Sequence, residues 1–199
     1  ALNYGLPKCQ CDIVARMDSD DLSRPDRCEK LLSKMTKEKL DLVGGAIEEF
    51  NHEPRDMRAV RMPPLTREEI MKWLKRRNPF NHVSVIFNRK AVQLAGGYEP
   101  FAWMEDYWLW VRMIANNCKC ANISDVVVDV RTGEGMYARR SNVTYLKSQI
   151  HFFSELQKLE LINSRERAMA ISERTIATLL PTGLVKVAYN KFLREKKGH

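Results

Sequence analysis

No stretch of this 199-residue chain approaches the roughly 20 consecutive apolar residues that a membrane-crossing helix needs. Ala1 to Cys11 has no long apolar run either, so no cleavable leader is read there. The five cysteines fall as Cys9-x-Cys11, Cys28 and Cys118-x-Cys120, without the two-residue spacers usual in structural zinc sites. Reduced, half-buried thiols in a cytoplasmic protein are the expectation. Zinc-finger spacing and the aromatic signature of RNA-binding sheets are both missing, and internal repeats and low-complexity tracts are absent. The formal charge of +8 therefore points to no nucleic-acid partner.

What is present is enough for one sizeable domain with a helical appendage. The pattern reads as α/β. Strands are expected over residues 12–17, 42–50, 83–87 and 126–130, and helices over 25–37, 66–77 and 104–116. Gly44-Gly45 inside the second strand marks a bulge or a close backbone approach. Thr66 with Glu69 three residues on is a capping box, and Gly96-Gly97 marks a loop. From Ser141 onward the chain reads as wholly helical with a break at Pro181, so the only boundary falls near residue 141. Late basic residues (Lys186, Lys191, Arg194, Lys196, Lys197) alternate with Leu184, Val185, Val187, Phe192 and Leu193 at helical spacing. That helix either lies on a membrane surface or packs on its own domain.

Three constellations carry chemistry. In Ile13-Val14-Ala15-Arg16-Met17-Asp18-Ser19-Asp20-Asp21 a short apolar run stops at three carboxylates in four residues. Clustered carboxylates repel unless a cation or protons neutralise them, and a hard divalent ion suits oxygen donors. The same run reads equally as a polar turn capping the helix near Pro25. Second, Glu105-Asp106 opens a helix among Trp103, Tyr107, Trp108 and Trp110. Adjacent helical residues point about 100° apart, so one acid can face a pocket while the other serves the helix terminus. An aromatic wall raises a carboxylate's pKa towards that of a general base and offers a face for a sugar ring. The alternative is ordinary helix-start chemistry above a core stripe of Tyr107, Trp110 and Ile114. Third, the loop after the last strand carries Arg131, Arg139 and Arg140 around Gly133 and Gly135. It is either a mobile grip on phosphate oxygens or an exposed connection.

In their order, these pieces resemble family 2 glycosyltransferases of the GT-A fold. The resemblance runs through Ala1-Leu2-Asn3-Tyr4-Gly5-Leu6, residues 12–21, Pro25-Asp26-Arg27, Asn81-His82-Val83-Ser84-Val85-Ile86-Phe87, Ala95-Gly96-Gly97-Tyr98, Glu105-Asp106-Tyr107-Trp108-Leu109 and Gly135 to Arg140, covering roughly residues 1 to 150. It is strongest to bacterial enzymes of exopolysaccharide, capsule and O-antigen synthesis. It implies a Rossmann-like, mixed and mostly parallel sheet flanked by helices, with residues 1–140 as the metal and acceptor half and 141–199 as a helical extension. Asp18 and Asp20 would hold Mn²⁺ or Mg²⁺ on the diphosphate of a nucleotide sugar, with Asp21 beside them. Asp106 would be the base that activates an acceptor hydroxyl, in a single inverting displacement, and Glu105 would touch the acceptor or orient the site. Asn81, His82, Trp103 and Tyr107 would line the pocket, and Arg131, Arg139 and Arg140 would contact phosphates. The acceptor would be a glycan or lipid-linked sugar at the inner face of the membrane.

In this family the strands that recognise the base precede the segment resembling Ala1-Leu2-Asn3, so this chain is expected to hold the later two-thirds of the domain. Uncovered sheet edge and apolar surface would favour a homo-oligomer. Two rivals stand beside this reading. A haloacid-dehalogenase-like phosphatase also places Asp-x-Asp after an apolar strand, but it expects Gly-Thr or similar next, where Asp21-Leu22-Ser23 follows. The other is a non-catalytic sugar- or membrane-binding remnant of the same fold.

Overall fold

Every residue of Leu42–Phe50 (β3) is buried, as befits a strand covered on both faces, and the other strands are arranged about it. The computed structural model describes residues 1–54, 56, 59–132, 143–179 and 195–196. One edge of β3 pairs in parallel with Cys120–Arg131 (β6) along its whole length. The other edge is divided. Leu42 and Val43 pair with Ile86–Asn88 (β5), and Ile47 to Glu49 with Ala59–Arg61 (β4), both antiparallel. Ile13–Ala15 (β1) extends the sheet beyond β5, Leu22–Ser23 (β2) beyond β6, and Glu195–Lys196 (β7) beyond β4, again antiparallel.

The sheet is mixed, as expected, but among the described residues only β3 and β6 run parallel. The expected predominance of parallel pairs is not met. The connection from β3 to β4, residues 51–58, is too short for the crossover that a parallel neighbour requires.

Helices cover both faces. Arg27–Glu38 (α2) packs Leu31 and Met35 against Val43, Ile47, Ile86, Val127 and Val128. The larger core lies on the opposite face. There Arg67–Leu74 (α3), Arg89–Leu94 (α4), Glu105–Ala115 (α5), Val143–Lys158 (α6) and Ser164–Leu179 (α7) join one apolar cluster. Phe152, Phe153 and Leu156 of α6 are within it, so the first part of the helical extension shares the core of the preceding residues. Each such side chain contributes about 1.5–3 kcal/mol by leaving water. A short helix, Leu2–Gly5 (α1), precedes β1.

The capping box forms as read. Thr66 Oγ1 accepts from the Glu69 N–H at 3.3 Å, and Glu69 Oε2 accepts from the Thr66 N–H at 3.1 Å. Gly44-Gly45 is both bulge and close approach: the β3/β6 register shifts after Gly45, and a Cβ on Gly44 would stand 2.3 Å from Asn122 Oδ1. The strand expected over 83–87 starts only at Ile86, because His82–Ser84 makes a 3₁₀ turn. In the gap where β5 ends and β4 has not begun, side chains replace the ladder. Ser84 Oγ accepts from the Gly45 N–H at 3.0 Å, and Asn81 Nδ2 donates to the Gly45 carbonyl at 3.0 Å. The stretch from Ser141 is not wholly helical either, since β7 fills hydrogen-bonding groups on the outer edge of β4. Pro181 and the amphipathic stretch 184–193 lie outside the described residues.

Candidate active site

The chain leaves β1 at Ala15 and makes one more bond to the neighbouring loop, Arg16 N–H to the Val85 carbonyl at 3.1 Å. Beneath this point lies the buried Arg27, whose Nη2 donates to the Arg16 carbonyl at 2.6 Å. The loop is thereby anchored, and its three acids converge. Asp18, Asp20 and Asp21 each place a carboxylate oxygen within 4.8 Å of the others. Asp18 is gripped from both sides by Arg16, at 2.9 and 2.6 Å. Asp20 is exposed, and Asp21 is buried. Asp21 Oδ1 accepts from the Arg131 N–H at 3.0 Å, while its Oδ2 is buried without a partner. Burial pushes the Asp21 pKa up; the Arg131 N–H opposes this, Asp20 and Asp18 add to it, and Arg16 opposes it. The helix-capping alternative does not hold: α2 starts at Arg27 with Asp26 as N-cap, and no carboxylate of the run reaches it. A buried, unpartnered oxygen beside two further acids is a donor set that fits a hard cation.

At the start of α5 the two acids diverge as helical geometry demands. Glu105 is exposed and Asp106 is recessed. Asn78 Nδ2 donates to Asp106 Oδ2 at 2.7 Å. Burial raises the Asp106 pKa; the Tyr107 N–H, Asn78 and the Arg61 guanidinium pull it back. This is the profile of a carboxylate held ready to take a proton.

His82 stands between the two corners. It senses Arg16 and Asp18, while Asp106 acts on its partner Tyr98. Its Nε2 lies 3.0 Å from the Tyr98 hydroxyl, and its ring lies 5.8 Å from that of Trp110. Burial, reinforced by Arg16, pushes the His82 pKa down to about 3, so the ring is neutral at pH 7. Tyr98 is itself clamped. Asn3 bonds both its carbonyl and its N–H, at 2.6 and 2.9 Å, and Arg112 donates to the Gly97 carbonyl at 2.7 Å.

Other expected lining residues are placed differently. Tyr107 is core rather than lining: it is buried against Phe152, with its hydroxyl donating to the Leu74 carbonyl at 2.7 Å. Trp110 and Ile114 complete the apolar stripe. Asn81 is buried, its amide spent on the Gly45 and Arg61 carbonyls, so it braces the sheet. Trp103 is 44% exposed at a positive φ of 63° and meets the Tyr145 ring. Arg131 donates from Nη1 to the Asn51 carbonyl at 3.3 Å and lies over the Phe50 ring, so its guanidinium is engaged with the β3–β4 connection. Arg139 and Arg140 lie outside the described residues.

Residues 1–94 match the model of the glycosyl transferase family 2. An Escherichia coli protein described as UDP-Gal:alpha-D-GlcNAc-diphosphoundecaprenol beta-1,3-galactosyltransferase is 36% identical over 98% of this chain and 70% of its own length. The chain belongs to the family 2 glycosyltransferases. That membership sets the dehalogenase reading aside. Two solved structures share the fold at low identity. One is Staphylococcus aureus TarS in complex with UDP-GlcNAc (TM-score 0.58, 15% identity), matched over 96% of this chain and 52% of that one. The other is the Pyrobaculum calidifontis mannosyltransferase PcManGT with GDP-Man and Mn²⁺ (TM-score 0.52, 16% identity), matched over 96% of this chain and 58% of that one. The chain thus spans just over half of either solved structure, and its fold is of the GT-A type. The family model itself ends at residue 94, whereas the alignment with the E. coli relative continues past residue 150.

Sequence reasoning missed four contributors to this arrangement: Arg16, Asn78, Tyr98 and Arg61. Arg16 two residues before Asp18 and Tyr98 after the glycine pair had a local signal. Asn78 and Arg61 had none, since only the tertiary fold carries them to Asp106.

Proposed function

We propose that this chain supplies the metal and acceptor half of an inverting glycosyltransferase. It would move a sugar from a nucleotide-sugar donor, a UDP-sugar, to a hydroxyl of a lipid-linked glycan in cell-surface polysaccharide synthesis. The observation that supports it most is the pairing of two unlike acid sites across one neutral imidazole. On one side is a cluster of three carboxylates with a vacant buried oxygen; on the other is a single recessed carboxylate with a raised pKa. Asp20 and Asp21, with Asp18 once Arg16 shares it, would hold Mn²⁺ or Mg²⁺. When bound, that ion neutralises charge on the departing nucleoside diphosphate. Asp106, held by Asn78, takes the proton from the acceptor hydroxyl. Glu105, outside the recess, meets the acceptor at its rim. The neutral His82, fixed by Tyr98, offers hydrogen bonding to a sugar hydroxyl without a charge that would compete for the carboxylates. Five free thiols suit a reducing compartment, and the basic late segment suits the inner face of a membrane.

The test is calorimetry of UDP with Mn²⁺, on this chain and on a version extended upstream, each beside Asp20→Ala. Binding that depends on Mn²⁺ and disappears with Asp20→Ala is expected at least in the extended form. Its absence from both would overturn the donor-site assignment and favour a non-catalytic remnant.

A further inference from the structure

Of the four tryptophans, three are accounted for by the fold. Trp110 is buried, Trp73 is covered by the Arg77 guanidinium at 3.4 Å, and Trp108 donates from Nε1 to Glu99 at 2.8 Å. Trp103 is the exposed one. Its backbone is also unusual. Among the described residues, four besides glycine have a positive φ: Lys39, Trp103, Asn117 and Glu160. Lys39, Asn117 and Glu160 stand where α2, α5 and α6 end, the common place for a left-handed residue. Trp103 instead precedes a helix, directly before Met104, the N-cap of α5. A bulky residue is disfavoured in this conformation and keeps it only where its surroundings hold it there. Here α6 holds it. Ser148 Oγ donates to the Ala102 carbonyl at 2.9 Å, and the His151 ring stacks on Phe101 at 5.2 Å and 18°. The Tyr145 ring meets that of Trp103 edge-on, at 5.8 Å and 82°. The chain is thus pinned, just ahead of Glu105 and Asp106, in a conformation that leaves an indole partly in water.

Two relations tie this indole to Asp106. The two residues are three apart in sequence, so their Cα atoms lie within about 11 Å of each other. Burial raises the pKa of the Tyr107 hydroxyl, and Asp106 and Tyr145 both add to that rise. Tyr145 therefore reaches from the indole towards the corner that holds Asp106. The exposed Glu105 lies between Trp103 and Asp106 along the chain. The polarised C–H groups on the face of a pyranose complement the negative face of an aromatic ring, and a nearby carboxylate accepts from its hydroxyls. We propose that Trp103, propped by Tyr145 and flanked by Glu105, is a stacking platform for a pyranose ring of the acceptor. The inference rests on the glycosyl-transfer reading and deepens it. Such a platform selects by ring shape: a sugar with an unbroken C–H face is favoured over one whose axial hydroxyl interrupts that face.

Fluorine NMR of the chain labelled with fluorotryptophan tests it, with methyl β-D-glucopyranoside as the probe. Trp103→Phe identifies the Trp103 resonance by its loss. That resonance is expected to shift most as the sugar is added. Sorbitol has the hydroxyls without the rigid ring, and cyclohexanol has a ring without the row of hydroxyls; both should shift it far less. Saturation transfer observed on the sugar then compares variants. Trp103→Phe should keep most of the binding. Trp103→Asn should weaken it about tenfold, because asparagine tolerates the left-handed backbone but brings no ring. An unmoved Trp103 resonance, an equal response to sorbitol or cyclohexanol, or undiminished binding by Trp103→Asn overturns the proposal. Melting curves of each variant show that it is folded. Mn²⁺-dependent UDP binding on the same preparations reports separately on the transfer reading, so failure of one is distinguishable from failure of the other.

Discussion

The Arg131 N–H donates to Asp21 Oδ1 at 3.0 Å across 110 residues of sequence. This bond ties the loop after β1 to the last residue of β6. The other oxygen of Asp21 is buried without a hydrogen-bond partner. A buried polar atom left unsatisfied costs on the order of 1–3 kcal/mol, and a cation held by this cluster would relieve that cost.

Asp21→Asn keeps an oxygen for the Arg131 N–H and removes the charge. Mn²⁺ affinity is expected to fall about 10–100-fold, as for loss of other groups that tune a metal site. Without metal the variant should instead melt higher at neutral pH. The sign follows from the raised Asp21 pKa. The folded state holds this proton more tightly than the unfolded state does, so stability falls as pH rises through the window from the ordinary 3.8 to the higher folded value. Melting curves in EDTA from pH 4 to 7 read this directly, and a variant that melts lower at pH 7 would contradict it.

Asp106→Asn should lower kcat by about 10²–10⁴, the usual contribution of a general base, with Mn²⁺-dependent UDP affinity unchanged. Asn78→Ala separates the base from its orienting partner. The Asn78 amide favours the charged carboxylate, so removing it raises the Asp106 pKa further. The acidic limb of the kcat/KM profile should then move to higher pH. A rate loss with an unmoved limb would assign Asn78 to folding alone.

Much of this was legible from residue order. The capping box, the glycine pair in β3, the stripe of Tyr107, Trp110 and Ile114 and the divergence of Glu105 from Asp106 are all local, set by helical or strand periodicity. What stayed hidden was non-local. Tyr107 reads as an aromatic beside an acid, yet its hydroxyl is used up by Leu74 on α3. Asn81 reads as a polar pocket residue, yet the split edge of β3 leaves Gly45 and Arg61 carbonyls that only a side chain can satisfy. The mostly parallel sheet was implied by the family resemblance alone; short connections such as residues 51–58 instead give antiparallel neighbours.

Gly44→Ala tests the close approach in β3. Its Cβ would meet Asn122 Oδ1 at 2.3 Å and the Phe80 ring at 3.2 Å. Asn122 has little room to yield, because its Nδ2 donates to the Pro64 carbonyl at 2.6 Å and the Pro79 carbonyl at 3.2 Å. Overpacking of this kind costs about 1–3 kcal/mol. Urea unfolding should show a lower midpoint at unchanged slope, and an unchanged midpoint would mean that the strand shifts freely.

The His82–Tyr98 pair makes a pH prediction of opposite sign to that of Asp21 and Asp106. His82 is held near pKa 3 in the folded chain against 6.5 ordinarily. Between these values the unfolded state binds the extra proton, so stability rises with pH, by at most about 1.4 kcal/mol per unit for one proton. Above 6.5 the contribution is complete. Asp21 and Asp106, both raised, act the other way in the lower part of the same window. In EDTA the wild-type profile is therefore partly compensated. His82→Gln should remove this rise, so that its stability increases less with pH than that of wild type between pH 3.5 and 6.5. Tyr98→Phe should cost about 1 kcal/mol throughout, from one lost hydrogen bond, while keeping the wild-type slope. If His82→Gln instead runs parallel to wild type from pH 3.5 to 6.5, the imidazole is not held neutral by the fold.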